Sequence, residues 1–180
     1  MDAMHDQRSH LYKGGVSIRP ALVRDIPELL EIEKVFPSDR LSGPKFLEWL
    51  IKPTATILVA HRGNDILGYA LGRANAKISS IRLFSLAISP ESQREGLGSA
   101  LLVALEKHGS RAGLRQMHLE VRCDNIAAQR FYFNQGFEKF GAYWKYYADG
   151  AGALRLRKEL SARSCEVPVN RAGLASSLFV

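Results

Sequence analysis

The chain has 180 residues, 46% hydrophobic and 24% charged, which suits one soluble globular domain with a real core. Twenty-five basic against 18 acidic residues leave a formal charge of +7, a balance that favours an anionic partner: a polyphosphate cofactor, nucleic acid, a ribosome or a membrane surface. No apolar run approaches the roughly 20 residues of a membrane span, and the N-terminal stretch has no apolar segment of the signal-peptide kind.

Two cysteines, Cys123 and Cys165, lie far apart without paired spacing. They imply neither a disulfide framework nor a metal site, fit a reducing cytoplasm, and leave Cys123 to be read as a buried, inert thiol. The arginines are scattered and lack the aromatic interleaving of an RNA-binding sheet, so the charge reads as solvated surface with an anion bias and nucleic acid is not the expected partner.

Residues 1–15 read as a flexible arm, 16–160 as the folded domain and 161–180 as a tail. The tail's apolar end packs on the body, packs on a second subunit, or stays mobile; monomer and homodimer both remain open. VSIRPA (16–21) is a short strand. Asp25 and Glu28 form a D-x-x-E capping box for a helix whose Ile26, Leu29, Leu30 and Ile32 recur at helical spacing, and Pro37 ends it. Ser42 and Pro44 open a second helix with Phe46, Leu47, Leu50 and Ile51 on one face, stopped by Pro53. TILVAHR (56–62), the turn GND and ILGYALGRA (66–74) make a hairpin, and the apolar run 78–89 is a central strand.

LGSALLVALEKHG (97–109) is a helix ended by Gly109, MHLEVR (117–122) a strand, and DNIAAQRFYFNQGF a capped helix stopped by Gly136. FEKFGAYWKYY (137–147), a turn and ALRLRKEL (153–160) close the chain as a strand pair. The order β, α, α, β, β, β, α, β, α, β, β describes a mixed α/β sheet built around βαβ crossovers.

Two stretches carry chemistry. In SPESQREGLGSALL a strand ends, a loop carries Gly96 and Gly98, and a helix begins at once, the context of an anion site at a helix N-terminus. The spacing is not that of Walker A, and Leu101 stands where a G-x-G-x-x-G pattern needs its third glycine. What remains is Gln93, Arg94, Gly96 and Gly98 as Q-R-x-G-x-G, with Arg94 able to bond a phosphate and Glu95 harmless if it faces solvent. The second stretch, LEVRCDNIAAQRFYFNQGF, puts Asn125, Ala128 and Tyr132 on one helix face: an amide, a small residue permitting close approach, and a phenol.

With these two stretches at this separation, residues 16–160 resemble the GNAT superfamily of acetyl-CoA-dependent N-acetyltransferases, most of all bacterial ribosomal-protein-alanine N-acetyltransferases. The segments FP (36–37), LEVR (119–122), NQGF (134–137) and KYYADGAGALRLRKEL (145–160) carry the closer likeness. The resemblance implies a mostly antiparallel central sheet with a splayed parallel strand pair, flanked by about four helices. It implies that the backbone of Gln93, Arg94, Glu95, Gly96, Leu97, Gly98, Ser99 and Ala100 holds the CoA pyrophosphate. Leu86, Ala87 and Ile88 then present backbone groups to the pantetheine, and Asn125 and Ala128 border that arm.

Acetyl transfer to an amine needs the amine deprotonated, an N–H donor for the developing oxyanion and a proton for the leaving thiolate. The resemblance gives the last task to Tyr132; the alternative is a tyrosine that only packs and orients the cofactor. Period two puts Met117, Leu119 and Val121 on one strand face and His118, Glu120 and Arg122 on the other. The resemblance makes Glu120 the base, through water, with His118 behind it. The alternative is that Glu120 pairs with Arg122 or binds the acceptor's ammonium. Phe36, Tyr146 and Tyr147 are expected to wall the acceptor groove. The acceptor is a protein or peptide N-terminus, or in a second reading a small amine such as a polyamine, an amino acid or an aminoglycoside. A third reading is a CoA- or RNA-binding adaptor without turnover.

Overall fold

The computed structural model describes residues 14–36 and 40–160. The anticipated arm up to residue 13, the helix stop at Pro37, Cys165 and the tail 161–180 lie outside the described residues.

Strand β1 (Ser17–Pro20) leads into helices α1 (Ile26–Ile32) and α2 (Gly43–Ile51). Strands β2 (Ala55–Arg62), β3 (Asp65–Asn75) and β4 (Ser80–Ile88) follow, then helix α3 (Leu97–Arg111), β5 (Gln116–Arg122), α4 (Ile126–Asn134), β6 (Glu138–Tyr143) and β7 (Ala153–Glu159). All seven strands form one sheet in the order β1-β2-β3-β4-β5-β7-β6. Every pairing is antiparallel except β4 with β5. That parallel pair is joined through α3, the βαβ crossover the sequence implies.

The two faces of the sheet bury different helices. Met117, Leu119 and Val121 alternate into a core with Leu101, Leu102 and Leu105 of α3, and Phe131 and Tyr132 of α4 pack against the same cluster. On the opposite face, Leu29 and Ile32 of α1 and Phe46 and Trp49 of α2 meet Val59, Tyr69 and Leu71. Burying side chains of this size removes of order 2 kcal/mol of apolar exposure each, so these two clusters hold the helices to the sheet.

Several local expectations are corrected. The D-x-x-E pair does not close a capping box. Asp25 instead accepts two bonds from Arg19, at 2.6 and 2.9 Å, and one from the Leu22 amide at 2.8 Å, which ties β1 to the start of α1. Glu28 reaches across to the Ile66 amide at 2.8 Å. Partners in space displaced the local one because Asp25 is buried and a buried carboxylate needs a cation more than a helix end does. The second cap forms as read: Ser42 accepts from the Lys45 amide at 3.4 Å.

Helix α3 does not end at Gly109, which lies inside it and buried; the chain turns instead at Gly113, with φ +77°. The strand expected from 78 starts at Ser80, after a 3-10 turn over Ala76–Ile78 and a left-handed Ser79. Strand β6 stops at Tyr143, short of the expected 147. Cys123 is exposed, not buried.

Candidate active site

The site follows from how little β4 and β5 pair. Only Ser80–Arg82 of β4 match Gln116–His118 of β5. Beyond them the two strands part, and the separating edge of β4 presents main-chain donors and acceptors to the gap, as any unpaired strand edge does. At the mouth of the gap the register of β3 against β4 shifts between Leu71 and Gly72, leaving Phe84 as an extra residue on β4. Such a bulge re-aims side chains.

Two cavities open on this gap. One is a cleft of about 550 Å³ between the end of β4, the loop before α3, and α4. Leu86, Ala87, Ile88, Gln93, Arg94, Gly96, Leu97, Gly98, Ser99, Ala128 and Tyr132 line it, as do Val35, Ser92, Ala127 and Phe131, which the sequence reading did not name. Two anticipated members stand apart. Glu95 is paired with Arg62 at 2.9 Å and does not line the cleft, and Ala100 contributes the first intrahelical bond, its amide meeting the Gly96 carbonyl at 3.0 Å.

The amides ahead of that bond have no intrahelical acceptor and lie at the positive end of a helix of 15 residues. Arg94 at φ +69° and Gly96 at φ +81° turn the loop through left-handed conformations, the kind of backbone that makes an anion-binding concavity. No side-chain atom lies within 4 Å of where a Cβ on Gly96 would stand, so its glycine is required by the dihedral and not by crowding. Donors at one end and apolar walls from Leu86, Ile88 and Phe131 along the rest fit a ligand with a phosphate head and a thin, largely uncharged arm.

The second cavity, about 850 Å³, lies between the loop following α1, helix α2, the parted β4 and β5, the start of α4 and Tyr147. It holds Phe36, Glu120, Asn125 and Tyr147 of the anticipated residues. Leu86, Ala128 and Tyr132 line both cavities, so the two meet at these three side chains. Asn125 caps α4 by accepting the Ala128 amide at 3.0 Å and borders the second cavity, not the first. Tyr146 is not among the lining residues; its ring stacks on Tyr143 at 5.5 Å and its hydroxyl accepts from Arg82 at 2.6 Å.

Tyr132 stands at the junction, held edge-on by Phe131 and Phe137 at 5.1 and 5.7 Å. Burial, with Tyr147 adding to it, pushes its phenol well above the ordinary tyrosine range, so the hydroxyl keeps its proton at neutral pH. Glu120 projects from β5 with only 7% of its side chain exposed. Arg82 approaches it to 2.8 Å and Arg155 to 3.8 Å. The short approach is a charge contact and not an aligned hydrogen bond, for Glu120 Oε2 has no hydrogen-bond partner among the described residues. Arg122, the partner weighed for Glu120, is taken instead by Asp124 at 2.9 Å and Asp149 at 2.7 Å. His118 shares the face of Glu120 but lines neither cavity, and desolvation, against the pull of Glu120, keeps its pKa below the usual value.

The sequence reading missed Glu33. It is 2% exposed and lines the second cavity, where it accepts the Tyr69 hydroxyl and the Leu41 amide. Tyr69 also meets Ser85 at 2.8 Å, so Glu33 joins the chain after α1 to the sheet at the bulge. Its signal was present: a carboxylate four residues after buried Leu29 sits on the core face of a helix, where an acid needs partners. Among the described residues no cluster of His, Cys, Asp and Glu could hold a metal ion.

Comparison with known proteins matches residues 23–137 to the acetyltransferase (GNAT) family. The chain is 30% identical over 148 residues to an uncharacterized N-acetyltransferase of Methanocaldococcus jannaschii, covering 79% of this chain and 90% of that one. It is 26% identical over 155 residues to an N-alpha-acetyltransferase of Saccharolobus solfataricus, covering 80% and 93%. In fold it is similar to the crystal structure of the ribosomal-protein-S18-alanine N-acetyltransferase of Escherichia coli, with a TM-score of 0.73 at 24% identity over 84% of this chain and 98% of the other. A splayed parallel pair, a glycine-turned loop at a long helix's N-terminus and a family match spanning both agree: the chain belongs to the GNAT acetyltransferases and is an acetyl-CoA-dependent enzyme.

Proposed function

We propose that the enzyme acetylates the N-terminal α-amine of a protein or peptide, by direct attack within a ternary complex. The observation that carries this reading is the meeting of two cavities at Leu86, Ala128 and Tyr132, one with a phosphate-fitting end and one running back along β4 and β5 to α2. A single small amine would fill only the junction of the larger cavity; an extended chain uses its length, since strands beside it offer edges along which peptides lie. The N-alpha-acetyltransferase of Saccharolobus solfataricus supports the same choice. An α-amine, with a pKa about two units below lysine's, also asks less of a base.

Acetyl-CoA supplies the acetyl group as an activated thioester. The amides of Gly96–Ser99 and the Arg94 guanidinium would hold its pyrophosphate, and Leu86, Ala87 and Ile88 would border its pantetheine. Main-chain N–H groups on the open edge of β4 donate to the oxygen that gains charge in the transition state. Glu120 draws one proton from the acceptor's ammonium through water; Tyr132 delivers the proton held on its hydroxyl to the departing sulfur and is reprotonated by the second proton that the nitrogen sheds as the amide forms. The test is CoA release from a panel of peptides and small amines, with the product mapped by mass spectrometry. The expected product carries acetyl on the α-amine; transfer confined to small amines or to lysine side chains overturns the reading.

A further inference from the structure

At the α2 end of the acceptor cavity, two aromatic rings are surrounded by cations. Trp49 and Phe84, which both line the cavity, pack with ring centroids 4.9 Å apart. Lys45 and Lys52 sit over Trp49 at 5.7 and 5.1 Å, and Arg73 and Arg82 sit over Phe84 at 5.3 and 4.5 Å. Arg73 and Arg82 are direct cross-strand partners on β3 and β4. Like charges placed directly opposite destabilise a sheet, so this pair is held against its own repulsion.

The carboxylates available do not balance the group. Lys45 and Lys52 share one, Glu48, at 2.8 and 3.9 Å, and Arg82 contacts Glu120 at 2.8 Å. Arg73 has a contact with the Phe84 ring and no ion pair among the described residues. Arg82 also donates to the Tyr146 hydroxyl at 2.6 Å, while its Nε is buried without a hydrogen-bond partner among the described residues.

We infer that Arg73 and Arg82, on either side of Phe84, form a carboxylate-binding pair that selects acceptor peptides carrying an acidic side chain at the third or fourth residue. The inference rests on the peptide reading above. Its position follows from strand geometry. The acetyl group is transferred beside Leu86, and Arg82 lies four residues back along β4, about 13 Å at the rise of a strand. An extended peptide advances about 3.3 Å per residue, so its third and fourth Cα atoms lie about 7 and 10 Å from the first. Neither arginine is among the residues that line the cavity, but both guanidiniums stand over the Phe84 ring, which does line it, so an Asp or Glu side chain there meets them past the edge of that ring and relieves the repulsion between them. A second copy of this chain would bring the same cations face to face, so it is not the occupant.

The experiment compares kcat/KM for three peptides identical except for Glu, Gln or Lys at the third residue, repeated with the fourth. The wild-type enzyme is expected to favour the Glu peptide over the Gln peptide on the order of tenfold, the worth of one charge-assisted contact at a partly exposed site. Arg73→Glu is expected to reverse the order so that the Lys peptide leads, with thermal melting showing the variant folded. Added salt lowers the wild-type preference. Equal rates for the Glu and Gln peptides at both positions, or a Glu preference unmoved by Arg73→Glu, overturn the carboxylate pair while leaving the peptide reading standing. No transfer to any of the peptides, with transfer to small amines intact, overturns both.

Discussion

Tyr132 and Glu120 sit in surroundings that differ in kind, and each predicts its own behaviour. Tyr132 is packed among rings, so its hydroxyl stays protonated through the whole neutral and mildly alkaline range. Tyr132→Phe is therefore expected to lower kcat by about 10²-fold with little change in acetyl-CoA affinity, the ordinary size of a positioned acid's contribution. Because its raised pKa puts deprotonation beyond ordinary assay conditions, Tyr132 should impose no alkaline fall on the wild-type rate. A fall with a midpoint below pH 9 that disappears in Tyr132→Phe would contradict this assignment. Glu120 is held between two guanidiniums at the cavity wall. Glu120→Gln should lose rate that partly recovers as pH rises and the α-amine deprotonates unaided; a loss constant with pH would assign Glu120 to binding alone. At this scale the chain was legible where one helix or one strand sufficed. The face of Asn125, Ala128 and Tyr132 and the alternation of MHLEVR are local geometry. The partners of Glu120 were not legible, because Arg82 and Arg155 come from β4 and β7 and meet it only through strand order.

Elements position these residues through their ends. The loop before α3 turns at Gly96 with φ +81°, where an L-residue costs about 1 kcal/mol. Gly96→Ala meets no neighbour within 4 Å, so it should lower stability by about that amount and raise the KM for acetyl-CoA by several-fold through the displaced amides. Denaturant titration and initial rates read the two effects separately. The joint between β1 and α1 behaves differently. Arg19 holds the Asp25 carboxyl below its ordinary pKa, chiefly by hydrogen bonding and against the cost of burial. A depressed folded-state pKa adds stability that is present above the unfolded value near 3.9 and lost as pH falls through the lower folded value. Asp25→Asn should thus cost about 2 kcal/mol at pH 7 and progressively less as pH falls below the unfolded value, measured by chemical denaturation across that range. Element positions were readable from capping and periodicity, while their ends moved. Gly109 reads as a helix stop by type; it is kept small instead because a Cβ there would crowd Leu160 at 3.1 Å and Ile81 at 3.2 Å.

For the molecule as a whole, the sheet is covered by α3 and α4 on one face and by α1 and α2 on part of the other, and the parting of β4 from β5 opens a passage between them. Acetyl-CoA binding to this preformed cleft should stabilise the fold by mass action, by about 2.7 kcal/mol at a hundred times its Kd. A rise in melting temperature with acetyl-CoA, and its loss on dialysis, measures this; an unchanged Tm at millimolar acetyl-CoA contradicts the assignment of the cleft. Among the described residues no helix is long and apolar enough to cross a membrane. The net charge, spread along the sequence, is partly gathered in space: Arg73 and Arg82 from two strands, Lys45 from α2 and Lys52 from just beyond it meet at a single pair of rings.

The order of residues along the chain was enough to read the family, the order of elements, the glycine-turned loop and the helix that carries Tyr132. The elements, the loop and the helix depend on neighbours within about 15 residues, where helical and strand periods hold and where a glycine or a cap acts on its own backbone; the family rests on two such local stretches, residues 93–100 and 125–132, taken together. Strand order and packing fix which charges meet, that Glu33 is buried in the wall of the second cavity, that Asp25 serves Arg19, and that two cavities share Leu86, Ala128 and Tyr132. The reason is physical: charge pairing and burial depend on distance in space, and strand order and the splay between β4 and β5 set those distances without leaving a local mark in the chain.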